Sequence, residues 1–169
     1  NKQNIKKIEH RFWVNLLWGV IALKIVIVSL VILSDSVAAV IQEWDALSFY
    51  SPAALNFYYE KSVTAFEGIS NTAYPLHRHL SETYMYISLG KDSDGLATTI
   101  FGLIYLSIII NTYFLMKCAS ISPIISIIIT LFLANDIILK SYTLYQNSDL
   151  MLTAFYSTCC MLFVIYLKN

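Results

Sequence analysis

Four apolar runs, each about as long as a bilayer is thick, constrain this chain more than anything else in it. They extend from about Phe12 to Leu33, Ala97 to Met116, Ile121 to Leu139 and Leu150 to Leu167, each near the roughly 20 residues that cross a hydrocarbon core. Lipid offers no partner to a backbone N–H or C=O. A span must therefore bond its own backbone, which a helix does and a lone strand cannot. Of the 169 residues 57% are hydrophobic and 13% charged, more apolar surface than a water-soluble domain of this length could hide. The sequence predicts an all-α polytopic membrane protein: a single module over 1–169 with four transmembrane helices. The net charge is zero, so nothing points to nucleic acid. Cys118, Cys159 and Cys160 fall in or beside apolar runs without metal-ligand spacing and read as buried thiols.

Lys and Arg give the orientation. The basic segment NKQNIKKIEHR directly precedes the first span and belongs in the cytoplasm. Lys117 then falls in a short cytoplasmic turn and Lys168 at a cytoplasmic C-terminus. The long loop 34–96 and the short loop from Lys140 to Asp149 lie on the other side, so Asp45 and Asp149 share a face. The long loop is rich in aromatics and poor in Gly and Pro. IQEWDALSFYSPAALNFYYEK has the mixed apolar and polar spacing of a helix lying along the interface, bent or restarted at Pro52. YPLHRHLSETYMYISLG predicts a second, partly buried helix closed by Gly90, and KDSDG a turn. Pro123 suits the first turn of the third span.

Several of these residues could carry chemistry, and each has a plain structural reading beside it. Asp45 lies in QEWDALSFY with Glu43 two positions earlier. A carboxylate near a low-dielectric boundary can have its pKa raised, which suits a general base; a solvated acid on an amphipathic helix is the plainer reading of the spacing. Asp149 opens the fourth span, where an Asp caps free N–H groups and meets the helix dipole without any chemistry. Asp136, within the outer end of the third span, needs a cavity or a cation such as Lys140. Lys24 in the first span lies some way from either end and asks for snorkelling or an intramembrane partner. His77, Arg78 and His79 form the basic cluster of the long loop, suited to a phosphate or diphosphate or simply to a solvated turn. HRH with Glu82 nearby lacks a spaced third zinc ligand. Tyr142 and the loop tyrosines suit sugar stacking or a membrane interface.

Together these parts resemble the N-terminal module of the GT-C membrane glycosyltransferases, nearest the protein O-mannosyltransferase and aminoarabinose-transferase-like branch. WDALSFYSPAALNFYYE is similar to that family's first acidic motif and helix, and YPLHRHLSETYMYISLG to its proline-containing segment. LKSYTLYQNSDLMLTAFYSTCCMLFVIYLK is similar to its second acidic loop and following span. Departures are visible. The first motif is usually a paired acid, whereas Ala46 follows Asp45 and Glu43 would have to substitute. Only Pro75 stands where many members have two prolines. Members are several times longer, so the resemblance implies a fragment or reduced form.

The resemblance also implies a function: transfer of a sugar from a polyprenyl-phosphate donor to a lipid, glycan or protein acceptor. The reaction would take place on the outer or lumenal face of a bacterial inner membrane or endoplasmic reticulum. Asp45, with Glu43, would act as base and Asp149 would position substrate. His77, Arg78, His79, Lys140 and Tyr142 would bind it. No cofactor is implied firmly, although some branches use a divalent cation. The competing expectation is a non-catalytic membrane scaffold or assembly subunit. A transporter is disfavoured because no predicted span is broken at mid-membrane.

Overall fold

The first apolar run contains no proline, and the helix it forms, α1, continues well beyond it, from Lys2 to Ala38. At about 1.5 Å per residue it is roughly 55 Å long, so the expected span 12–33 is the middle of a longer rod. The computed structural model describes residues 2–39, 41, 44–64 and 76–168, with side chains from residue 12 onward. Among these residues every regular element is helical. Three helices are long and apolar enough to cross a membrane: Phe12–Ala38 within α1, Asp94–Cys118 and Asp149–Lys168. Asp94–Cys118 comprises the short α4 (Asp94–Ala97) and α5 (Thr99–Cys118). Asp149–Lys168 forms the last helix.

The third expected span is not one helix. It divides into α6 (Pro123–Asn135) and α7 (Ile137–Leu144), bent by 50°; the last helix is therefore α8. Asp136 causes the break. It is extended (φ −62°, ψ 126°), and its carboxylate accepts the Leu139 N–H at 2.7 Å, capping α7. Asp gains more from a cap than from a helix interior, which corrects the expectation of a continuous helix over 121–139. The start of α6 is as expected: Pro123 sits in its first turn, and the Ser122 hydroxyl accepts the Ile125 N–H.

Side-chain bonds set the directions of the helices. Thr98 Oγ1 donates to the Ser36 carbonyl, joining the end of α1 to the start of α5. Tyr105 Oη donates to the Ala134 carbonyl at 2.7 Å, joining α5 to the end of α6. From the cavity shared by Ile100 and Met151 to the Asn111–Thr158 bond (2.8 Å), α5 and α8 advance in the same sense. Lys168 Nζ donates to Ser120 Oγ, so the end of α8 meets the α5–α6 turn. One end of the bundle thus gathers the end of α1, α4, α7 and the start of α8; the other gathers the α5–α6 turn and Lys168.

Phe101, Tyr105, Ile108, Ile109, Ala134 and Leu150 fill the core between these helices with Ile32 of α1. The approach of α1 to α5 depends on Gly102, where an added Cβ would lie 2.2 Å from Ser36 Oγ. Cys159 and Cys160 are exposed on α8 and Cys118 is partly so, a correction to their reading as buried thiols. A lipid-facing helix is apolar all round, so hydropathy alone cannot separate inward from outward positions.

The described residues between α1 and α4 form a helical cap. A π-helical turn, Ala46–Tyr50, leads into α2 (Ser51–Glu60), and α3 spans His77–Leu89. Pro52, in the first turn of α2, has no N–H to give to the preceding turn. The chain widens there, and the Ser51 N–H reaches the Ala46 carbonyl five residues back. Gly90, at φ 67°, closes α3 in the left-handed conformation expected of it.

Candidate functional site

The first turn of α3 is the hub of the cap. Arg78 and Glu82 are four residues apart, so a helix stacks them on one face. Arg78 Nε lies 3.1 Å from Glu82 Oε1, with both side chains buried. Ser51 Oγ donates to the other carboxylate oxygen at 2.9 Å. The Arg78 guanidinium also lies over the rings of Tyr50 (4.3 Å) and Phe101 (5.1 Å). One side chain therefore ties α3 to the π-turn and to α5, while its own partner holds the start of α2. His79 packs edge-on against Tyr50 with ring centroids 5.1 Å apart. Thr83 Oγ1 donates to the Ala54 carbonyl at 3.2 Å. Burial pushes the Glu82 carboxyl up, and Arg78 and the Ser51 hydroxyl pull it back.

Arg78 and His79, both expected at substrate, are thus interior residues, and the charge of Arg78 is balanced within the protein. The Arg78 side chain is fully buried, so a phosphate outside the cap does not reach it. His77 is the more accessible member of the cluster. Burial first, then the Arg78 charge, holds its imidazole below the ordinary histidine range, against the pull of a hydrogen bond to the Ser148 backbone. It is a neutral imidazole at pH 7, and it touches the loop that immediately precedes Asp149.

Asp149 begins α8 with its side chain exposed. Its N–H donates to Asn147 Oδ1 at 2.8 Å, and its carbonyl accepts from Thr153 Oγ1 at 2.9 Å. Asp45 stands directly before the π-turn, half-buried, and makes no capping bond. Glu43, Tyr74 and Pro75 lie outside the described residues. The two acids are linked through α3: Asp45 opens the turn whose last residue, Tyr50, stacks on Arg78, and neighbouring His77 bonds Ser148 beside Asp149.

Lys140, half-buried on α7, lines a groove of about 450 Å³ against the end of α1, facing Asp35, Ala38 and Ala39. Tyr142 is exposed on α7 and is not among the residues lining that groove. A second cavity, about 540 Å³, lies between α2 and α3 and is lined by Phe57, Tyr58, Leu80, Tyr84 and Ile87 with Lys61 at its rim. A third, about 260 Å³, lies between His77 and Ser81 of α3 and the paired α5 and α8. Neither Asp45 nor Asp149 lines any of these three. Among the described residues no three His, Cys, Asp or Glu side chains gather as metal ligands.

Sequence reasoning missed Glu82 as the partner of Arg78, though their four-residue spacing inside a predicted helix was a usable signal. Asp35 was missed because the first span was ended at Leu33, before the helix does. Set against models of protein families, curated proteins and solved structures, the chain matches none.

Proposed function

We propose that this chain is a membrane glycosyltransferase module that takes a sugar from a polyprenyl-phosphate donor. On this reading α1, α4–α5, the bent α6–α7 pair and α8 are four spans, and α2 and α3 lie along the outer or lumenal interface. The termini face the cytoplasm. The observation that carries the reading is the linkage through the first turn of α3, which joins the element opened by Asp45 to the loop immediately before Asp149. A π-turn beside Asp45 adds support, because such turns recur at functional sites.

In the reaction, the acceptor hydroxyl oxygen forms a bond to the anomeric carbon while its proton passes to the Asp45 carboxylate. The anomeric carbon–oxygen bond to the lipid phosphate breaks, and the phosphate leaves with the electron pair. General-base help of this kind contributes about 10²–10⁴-fold. Asp149 positions the acceptor. Lys140 balances the phosphate charge, since Arg78 is already matched by Glu82. The test is glycosyl transfer in proteoliposomes supplied with a panel of polyprenyl-phosphate sugars. Asp45→Asn and Asp149→Asn should each lower the rate at least a hundredfold; full rates in both would refute the mechanism.

One observation favours a second reading, a non-catalytic assembly subunit: neither acid lines a described cavity. Under that reading the Asn variants change nothing, whereas disrupting the Arg78–Glu82 pair loosens the cap and any complex built on it.

A further inference from the structure

Lys24 is the costliest residue in α1 for a helix in lipid. It lies near the middle of the Phe12–Ala38 stretch, about 18–21 Å from its ends at 1.5 Å per residue and up to about 15 Å from either face of a hydrocarbon core roughly 30 Å thick. That is farther than a four-carbon stem reaches, so snorkelling does not bring the ammonium to water. Lys24 is exposed on the surface of the bundle. Among the described residues no ion pair or hydrogen bond engages it.

It does not stand alone on that surface. Leu17, Val20, Ile27 and Val31 are each half exposed or more. With Lys24 they follow one another at steps of three, four, three and four residues, a continuous seam along one helix face. The adjoining face of α1, about a quarter-turn away through Ile25, Val28 and Ile32, packs into the bundle. Among the described residues no acid offers a counter-charge at this depth. Asp35, Asp94, Asp136 and Asp149 all lie at helix ends, so a second copy would set lysine against apolar helix. Lipid phosphates lie at the membrane surface.

We propose that the Leu17–Val20–Lys24–Ile27–Val31 face of α1 docks a membrane-spanning helix, not contained in these 169 residues, that presents an Asp or Glu at mid-depth. The inference rests on α1 being a span and is independent of glycosyl transfer. Charge complementarity selects the partner: a carboxylate matches the ammonium, and the apolar seam on either side supplies the packing.

The test uses the chain in liposomes with synthetic polyleucine spans carrying one central Glu, Gln or Leu, and association read by energy transfer. The Glu peptide should bind about five- to thirtyfold more tightly than the Leu peptide. Lys24→Leu and Lys24→Met should erase that difference, and Lys24→Glu should transfer the preference to a Lys-bearing peptide. Helical content should stay unchanged, since Lys24 is exposed and no hydrogen bond or ion pair among the described residues engages it. Equal binding of all three peptides, a Gln peptide as tight as Glu, or a Glu preference surviving in Lys24→Leu would each overturn the proposal. So would self-association that occludes the face regardless of residue 24.

Discussion

Replacing Glu82 by Gln would remove one charge from the interior of the cap and leave the other behind. Arg78 is fully buried and the Glu82 side chain is 3% exposed, so water cannot take over the task of the lost carboxylate. Breaking one partner of such a pair costs about 3–5 kcal/mol. Gln keeps the shape, and its amide oxygen can still accept from Arg78 or Ser51. The aromatic faces of Tyr50 and Phe101, at 4.3 and 5.1 Å, stay with the guanidinium in both proteins and so cancel from the difference. With a neutral acceptor kept, the net expectation is the low end of that range, a loss of about 3 kcal/mol. Arg78→Met combined with Glu82→Leu removes both charges and restores apolar volume; it should fall within about 1 kcal/mol of wild type. Unfolding in detergent micelles, followed by circular dichroism and tryptophan fluorescence, gives the cycle. Single variants as stable as wild type, or a double variant as unstable as the two singles combined, would refute the view that the ion pair is buried and coupled.

Gly102→Ala should push α1 from α5, since the new Cβ meets Ser36 Oγ at 2.2 Å and the Leu33 backbone at 3.2 Å. A loss of about 1–3 kcal/mol is expected on melting, relieved in part by Ser36→Ala. Because the folded state holds the His77 pKa below its unfolded value of about 6.5, the unfolded chain binds more protons between the two values. Stability is therefore complete above pH 6.5 and should fall as pH drops through the folded pKa, an acid-side loss that His77→Gln removes in a melting series. Asp136→Ala deletes the cap of α7 and should cost about 0.5–2 kcal/mol; paired spin labels at Ile124 and Leu144 should report a smaller α6–α7 bend.

The sequence is informative about where helices run and much less about what they face. Hydropathy located the apolar runs because a bilayer-length stretch of Ile, Leu and Val needs no tertiary context. The same averaging concealed Asp136: within a window of apolar neighbours an acid registered as a penalty rather than as a cap that ends one helix and begins the next. The histidine–arginine cluster misled for a related reason. A basic triplet looks like a ligand site until the fold supplies Glu82 from one side and Tyr50 and Phe101 from the others. Gathering these needs contacts across 28 residues in one direction and 23 in the other, which no local pattern contains. The common end of Asp45 and Asp149 could be read by counting spans. Whether the two carboxylates open on one cavity depends on side-chain placement, and periodicity carries no information about that.

The widened turn before Pro52 holds one residue more than the α-turn it replaces. Each residue advances a helix by about 100° around its axis. A wider turn winds less per residue, so its extra member adds almost no rotation; shortening Ala46–Tyr50 by one position would restore α-winding with Trp44 and Asp45 facing nearly as before relative to α2. The extra residue is thus a local insertion that the helix absorbs, and a single-codon deletion should narrow the turn beside Asp45 without re-aiming that carboxylate or disturbing the packing of α2 against α3.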